Sequence, residues 1–222
     1  MQKVLVFSPH PDDDVIGCGG SILKHVKKGN VVSVVHITSG DSGSLIYSPG
    51  QTISIREDEA DKAAKFLGIS EVHFFRNADG NLSYTWENLS RIISLLRSLR
   101  PDVVYLPHKQ DSHRDHRITH ELVSESCLRA GSPEAQECGQ QLWSVGVILC
   151  YEVGTPLPEV NYVEDISEWM EAKVEAMRLH KSQLANLAYD EAVRHLNRLR
   201  GITTGRGAYC ECFQVLKVSE LF

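Results

Sequence analysis

Residues 3–37 read KVLVFSPHPDDDVIGCGGSILKHVKKGNVVSVVHI and indicate a strand, a helix and a second strand. The run Lys3–Ser8 is apolar almost throughout and is followed by prolines. Apolar residues then recur at helical spacing over Val15–Lys28, and Gly29-Asn30 ends that helix. The β-branched run Val31–Ile37 is typical of a second strand. Two apolar strands joined by a helix predict a parallel pair that is covered on both faces.

The same alternation continues along the chain. Further helices are predicted at Ile55–Leu67, Trp86–Arg100 and His116–Ala130, and further strands at Val72–Phe75, Val103–Leu106 and Val145–Tyr151. We interpret 38–54 as a loop and 132–142 as a polar insertion. The last part predicts a strand near 162–165, one long helix over 167–184, a helix over 189–200 and a strand over 209–218. The pattern indicates an α/β fold, Rossmann-like, with a mostly parallel sheet and helices on both faces. Because no linker interrupts it, we expect a single domain over residues 1–222.

Composition excludes several classes of protein. The chain has 222 residues, 42% of them hydrophobic, so it is not a disordered protein. A net charge of −6 argues against a nucleic-acid-binding protein. No stretch approaches the ~20 apolar residues of a membrane span. The six cysteines form no C-x-x-C pair, which favours buried thiols and a cytoplasmic location; Cys138, in a polar loop, is expected to be exposed.

Two loops dense in His and Asp follow the first and fourth predicted strands. Residues 8–14 read SPHPDDD and residues 107–116 read PHKQDSHRDH. Since ligands bind beyond the carboxyl ends of parallel strands, both loops are expected at one edge of the sheet. A catalytic zinc takes three His or carboxylate ligands and keeps one open position. His10 with Asp12 or Asp13 supplies two such ligands, and His113 or His116 supplies a third.

Plainer interpretations exist for each loop alone. Acids that open a helix commonly interact with its free N–H groups and dipole, and we expect Asp14 to do only that. The glycines at 17, 19 and 20 do not have dinucleotide-binding spacing and are better explained by close packing. The basic run Arg194–Arg200 is either a solvated helix face or the rim of an entrance for an anionic substrate. Neither a cap nor solvation explains two His/Asp loops at one edge, so a metal site is favoured.

The paired motifs resemble those of a known family. His10-Pro11-Asp12-Asp13, followed by a Gly-rich helix start, resembles the opening of the LmbE/PIG-L family of zinc-dependent N-acetylglucosamine de-N-acetylases. His113-Arg114-Asp115-His116 resembles its second motif, His-x-Asp-His. Further similarity lies in the segments 38–43, 55–60 and 209–213, so the resemblance covers most of the chain.

The resemblance implies a role for each matched residue. His10, Asp13 and His116 would bind one zinc ion per chain. Asp12 would be the general base toward the attacking water and would return the proton to the departing amine. His113, held by Asp115, would stabilise the oxyanion. These assignments make Asp12, His113 and Asp115 the catalytic group.

Two more residues are assigned to substrate binding by the resemblance. Arg56 would contact sugar hydroxyls or an anionic aglycone, and Asp41 would line the sugar pocket. Asp111 stands where some members carry a Tyr that helps to stabilise the oxyanion.

The implied activity is hydrolysis of the acetamide of an N-acetylglucosaminyl small molecule or glycoconjugate. Relatives that form trimers or hexamers imply a homo-oligomer. Two alternatives stay open from the residues alone: a two-metal phosphoesterase, since His/Asp loops also build such sites, and a metal-stabilised sugar-binding module without turnover.

Overall fold

The computed structural model describes residues 1–219, which form seven strands and seven helices. The strands are β1 (Lys3–Ser8), β2 (Val31–Thr38), β3 (Glu71–Asn77), β4 (Val103–Pro107), β5 (Val147–Tyr151), β6 (Tyr162–Asp165) and β7 (Cys210–Val218). The helices are α1 (Asp13–Lys27), α2 (Pro49–Leu67), α3 (Trp86–Leu99), α4 (Arg114–Ala130), α5 (Met170–Met177), α6 (Lys181–Leu184) and α7 (Tyr189–Thr204). None of the helices within these residues is long and apolar enough to cross a bilayer.

The strands form one sheet in the order β3-β2-β1-β4-β5-β7-β6. Strands β1 to β5 pair in parallel, and β7 runs antiparallel to both of its neighbours. The chain order reverses between β1 and β4, which is where a crevice opens in folds of this kind. The predicted mostly parallel, Rossmann-like sheet is therefore confirmed.

The core lies on both faces of the sheet. Val4 and Val6 of β1 join a cluster with α1 and α5, whereas Leu5 and Phe7 join one with α3 and α4. Because successive side chains of a strand point to opposite faces, a strand covered on both sides must be apolar at every position. This explains why β1 reads as an unbroken apolar run.

Three predictions differ from the structure. Helix α2 begins at Pro49, inside the predicted loop, because Ser48 and Gln51 form a capping box with Pro49 in the first turn. The single helix predicted over 167–184 is a 3₁₀ turn followed by α5 and α6. Cys138, expected to be exposed, is buried in a 3₁₀ turn and belongs to the core on the α3–α4 side.

A buried ion pair joins the end of the chain to α1. Lys173 and Glu211 are 0% and 1% exposed, and Lys173 Nζ lies 2.7 Å from Glu211 Oε1. The dihedral angles of Cys18 interrupt α1, and the pair supplies hydrogen-bond partners on both sides of that point. Lys173 donates to the Ile16 carbonyl, and Glu211 accepts from the backbone N–H groups of Gly20 and Ser21.

The glycines of α1 are explained by close packing, as expected. A Cβ on Gly17 would lie 2.2 Å from the Tyr151 ring, and one on Gly20 would lie 2.6 Å from Ile166. The backbone of α1 at Gly17 and Gly20 therefore packs directly against the side chains of Tyr151 and Ile166, with no room for a Cβ between them.

Removing Lys173 is expected to destabilise the protein strongly. Lys173→Met leaves the Glu211 carboxylate buried without its cation, which typically costs about 3–5 kcal/mol. The free energy of unfolding, measured by urea denaturation, tests this. Lys62→Met is the matched control, because Lys62 and Asp58 form an ion pair whose side chains are each 60% exposed; such pairs contribute less than about 1 kcal/mol. Equal losses in the two variants would contradict the expectation.

Candidate active site

The two His/Asp loops meet at one edge of the sheet, as predicted. The first follows β1 and the second follows β4, and these strands are direct neighbours. Thr38 at the end of β2 holds the first loop, because its N–H and hydroxyl both donate to the Pro9 carbonyl. The loops face a cavity of about 540 Å³.

Three donor atoms converge at the base of the cavity. His10 Nδ1 lies 3.0 Å from Asp13 Oδ2 and 3.2 Å from His116 Nε2, and Asp13 Oδ2 lies 3.2 Å from His116 Nε2. Ligands about 2.0–2.1 Å from a tetrahedral zinc ion stand about 3.3 Å apart. The three atoms are therefore spaced as the ligands of one such ion would be.

Carboxylates lie behind both imidazoles. His10 Nε2 is 3.1 Å from Asp79 Oδ1 and 3.4 Å from Asp115 Oδ2, and His116 Nδ1 is 3.3 Å from Asp111 Oδ2. A carboxylate on the far nitrogen of a metal-binding His fixes the orientation and tautomer of its ring. The donor set thus has the outer support that metal sites require.

The electrostatics of the base favour a cation. Burial alone would lower the pKa of His116, but Asp13 and Asp111 outweigh it and raise that pKa to about 9. Burial opposes protonation of His10 as well, yet hydrogen bonds to the surrounding carboxylates raise its pKa well above the usual value. His10 and His116 retain their protons because the carboxylates around them carry an excess of negative charge. A divalent cation would neutralise the same negative charge. Donor chemistry, spacing and charge all fit a metal ion.

Asp12 stands beside the donor set and is not part of it. Its Oδ1 lies 3.0 Å from Arg56 Nη2. Burial raises the pKa of Asp12 to about 6, although Arg56 acts in the opposite direction. A buried carboxylate that titrates close to neutrality is suited to general base catalysis. The geometry therefore separates Asp13 from Asp12, which the motif alone did not.

His113 begins α4 and faces the other two imidazoles. The ring centroids of His10 and His116 lie 4.7 and 4.9 Å from that of His113. Its Nδ1 accepts the backbone N–H of Asp115 at 3.2 Å, which leaves Nε2 to carry the proton. Burial, with help from His10 and His116, lowers the pKa of His113, so its ring is neutral at pH 7 and can donate a hydrogen bond.

Three site residues differ in their contacts from expectation. The Asp115 carboxylate does not hold His113: it accepts from the N–H groups of Gly80 and Leu82 and lies near His10. Asp41 accepts the N–H of Asp79 and does not line the cavity. Asp14, expected only to interact with the helix start, is buried and contacts Ser8 Oγ, and burial raises its pKa to about 7.

Two supporting residues were missed by sequence reasoning. Asp79 follows β3 and reaches the same sheet edge, so an acid just past the third strand was an available signal. In sequence Asp111 is only a departure from the family pattern, yet its carboxylate supports His116. Its position inside the second His/Asp loop was the signal.

The other side of the cavity is apolar. Helix α7 contributes Tyr189, Ala192, Val193 and Leu196, and Val153, Pro156 and Leu187 adjoin them. The basic run on α7 does not form the rim of an anionic entrance. Arg194 pairs with Glu171 and Arg200 pairs with Glu152, and neither lines the cavity.

Comparison with known proteins assigns the family. The family model described as "PIG-L: GlcNAc-PI de-N-acetylase" matches residues 5–127, a span that includes both His/Asp loops. The chain belongs to the PIG-L family. It is 33% identical over 192 residues to the diacetylchitobiose deacetylase of Thermococcus kodakarensis, covering 82% of this chain and 70% of that protein.

Solved structures of similar fold extend the comparison. The N,N'-diacetylchitobiose deacetylase of Pyrococcus horikoshii is 31% identical, with a TM-score of 0.89 over 97% of this PIG-L chain and 84% of that chain. GalB, the 4-carboxy-2-hydroxymuconate hydratase of Pseudomonas putida, has a TM-score of 0.88 over 100% of both chains at 22% identity. At that identity the likeness to GalB shows the fold alone, so the reaction must be argued from the site.

Proposed function

We propose that this PIG-L protein hydrolyses the acetamide of an N-acetylglucosaminyl compound, releasing acetate and a free amine. The observation that carries the proposal is the convergence of three metal donors, Asp12 and His113 on one cavity. Similarity to the two diacetylchitobiose deacetylases supports this class of substrate.

We assign His10, Asp13 and His116 as the ligands of one zinc ion per chain. Bound zinc supplies a Lewis acid for the carbonyl oxygen and lowers the pKa of water to about 7. Asp111 and Asp79 keep the two imidazoles oriented toward the ion.

The remaining chemistry belongs to side chains beside the donors. Asp12 accepts a proton from the attacking water and passes it to the departing amine, which a carboxyl group with a pKa of about 6 can do in both directions. His113 donates a hydrogen bond from its Nε2–H to the carbonyl oxygen as negative charge develops there. Arg56 lines the cavity beside Asp12. Asp41 would affect the site indirectly, because it accepts the backbone N–H of Asp79, which lines the cavity.

Removing the proposed oxyanion donor tests the role of His113. His113→Ala is expected to lower kcat by about 10²–10³-fold, the usual effect of losing such a donor. Zinc content should stay at one per chain, because His113 is not among the assigned ligands. Steady-state kinetics with metal analysis measures both. An unchanged kcat, or loss of the metal, would show that this assignment is wrong.

Metal stoichiometry separates deacetylation from the dinuclear alternative. His10, Asp79 and Asp115 also bring donor atoms within 4.8 Å of one another, which is the arrangement a second ion would need. Hydrogen bonds from Gly80 and Leu82 already engage Asp115, however. We therefore expect one zinc per chain by elemental analysis, whereas two ions with phosphatase activity would favour the phosphoesterase.

The proposed function is tested with a panel of N-acetylglucosaminyl compounds assayed for acetate release, with and without added Zn²⁺. We expect release that depends on the metal from at least one compound. Sugar binding without acetate release from any compound would favour the non-catalytic module. Cytoplasmic location and assembly into a trimer or hexamer stay predictions.

A further inference from the structure

The apolar side of the cavity follows from the pattern of α7. Tyr189, Ala192, Val193 and Leu196 recur at i, i+3, i+4 and i+7, so they form one stripe on the helix. All four line the cavity that the polar base also lines. We call these four residues the α7 stripe.

Ala192, Val193 and Leu196 give the α7 stripe an apolar surface, and Val193, which is 2% exposed, also belongs to the core. Leu187, just before it, lines the cavity with 60% of its surface exposed. Among the cavity-lining residues of the described chain, Arg56 is the single Lys or Arg, and it is engaged by Asp12. An anionic group placed against the stripe would lose water without gaining a cation, which is costly.

We propose that the α7 stripe binds the part of the substrate beyond the acetamido sugar, and that this part is uncharged with an apolar face. A second sugar ring or an aryl group meets this description, since either can pack its face on Tyr189 and Leu196. The inference rests on the proposed function, because the acetamido sugar must occupy the polar base.

The test compares a neutral with an anionic aglycone. We expect kcat/KM for phenyl N-acetyl-β-D-glucosaminide to exceed that for N-acetylglucosamine 1-phosphate by at least about 10-fold. Titration calorimetry with both compounds should show the same order of affinity, and it needs no turnover. If neither compound releases acetate but the phenyl glycoside binds more tightly, the subsite stands on binding alone, and the proposed reaction fails only if no compound of the panel releases acetate. Equal or tighter binding of the phosphate overturns the subsite.

A pair of variants on α7 tests whether the preference for the neutral aglycone arises at the α7 stripe. Leu196→Lys adds a cation to the stripe and is expected to lower kcat/KM for the phenyl glycoside about 10-fold and to shift preference toward the phosphate. Leu199→Lys is the matched control, because Leu199 lies on the same helix, is 54% exposed and does not line the cavity. The same shift in both variants, or in neither, overturns the assignment of the stripe.

The backbone at Asp12 has an unusual conformation. Its φ of +153° is in the region that non-glycine residues rarely adopt. Arg56 Nη2 lies 3.0 Å from both the Pro11 carbonyl oxygen and Asp12 Oδ1. One nitrogen therefore donates both to the peptide that precedes Asp12 and to the Asp12 side chain. Strain of this kind persists only when surrounding contacts impose it.

The loop after β2 is shaped around the same guanidinium. Arg56 is 3% exposed, and its Nη1 donates to the Gly40 carbonyl. A Cβ on Gly40 would lie 2.3 Å from Arg56 Nη1, and one on Gly43 would lie 2.7 Å from it. Gly40 also has a φ of +63°, which favours glycine. The backbone at Gly40 and Gly43 therefore packs directly around the Arg56 guanidinium.

From this geometry we infer that Arg56 is a positioning residue, which fixes the Asp12 carboxylate, and that it is not primarily an anchor for substrate. The kinetic part of this inference rests on the proposed function. The structural part, coupling between Arg56 and Asp12, is measurable without any substrate.

A double-mutant cycle tests both parts. Arg56→Gln should lower Tm by about 10 °C, and the losses of Arg56→Gln and Asp12→Asn should not add, because the residues share one ion pair. For kinetics, Arg56→Gln should lower kcat at least about 10-fold with KM within about 2-fold, and should add little in the Asp12→Asn background. Arg76→Gln, at an exposed pair with Glu57, is the control.

The outcomes are distinguishable. Additive losses in Tm overturn the coupling whether or not the protein is an enzyme. A large rise in KM with kcat retained assigns Arg56 to substrate binding and overturns the positioning role. Coupled losses in Tm in a protein that releases no acetate would support the coupling between Arg56 and Asp12 and contradict the proposed reaction.

Discussion

Asp12→Asn is expected to lower kcat for acetate release by about 10²–10⁴-fold while zinc stays bound. The amide keeps the size and hydrogen-bonding reach of the carboxylate but cannot accept the proton of the attacking water. Metal should be retained because Asp13 Oδ2, and not Asp12, lies among the three donors. Kinetics on the best compound of the panel, with zinc measured on the same sample, checks both statements.

Asp58→Asn is a matched control for that change. Asp58 is 60% exposed and pairs with Lys62 at the surface, away from the cavity, so its amide variant should keep full activity. If Asp12→Asn retained undiminished activity with zinc bound, Asp12 would not be the base. If it lost zinc, the separation of Asp12 from the donor set would be incorrect.

His116→Ala is expected to weaken zinc binding by more than about 100-fold and to abolish metal-dependent activity. The change removes one donor and leaves Asp13 and Asp111 facing each other without the imidazole between them. Loss of an outer carboxylate already costs 10–100-fold in affinity, so loss of a ligand should cost more. Zinc remaining after dialysis against a graded series of chelator concentrations measures the change.

A second histidine of the same helix serves as the control for His116. His120 lies one turn further along α4, where it contacts the Pro107 carbonyl instead of the cavity. His120→Gln should keep zinc and activity. Retention of zinc by His116→Ala at wild-type affinity would require another third ligand, and His113 would be the first to examine, since its ring also lies in the imidazole cluster.

The sheet was predictable because burial on both faces leaves a strong trace in the sequence. β1 and β2 are apolar at nearly every position, and Gly29-Asn30 marks the end of the helix between them. The edge at which the site lies followed from topology, since loops after parallel strands emerge together. The sequence alone therefore places His10 and the second His/Asp loop at this edge of the sheet.

Contacts between distant segments could not be predicted in the same way. The helix expected over 167–184 breaks near His180, and the chain there turns so that Ser182 can donate to Glu59 of α2. No local pattern shows such a contact. Likewise, the adjacent acids at 12 and 13 are the same residue type, and they differ in their tertiary contacts: Asp13 meets His10 and His116, whereas Asp12 meets Arg56.

The ion pair between Lys173 and Glu211 connects α1 to segments that lie far along the chain. The assigned zinc ligands all lie within residues 10–116, whereas Glu211, the partner of Gly20 and Ser21, is separated from them by 191 and 190 residues. A contact across so many residues closes a long loop, which costs conformational entropy when the contact forms. The placement of Asp13 at the start of α1 therefore depends in part on a residue that is synthesised after all three assigned ligands.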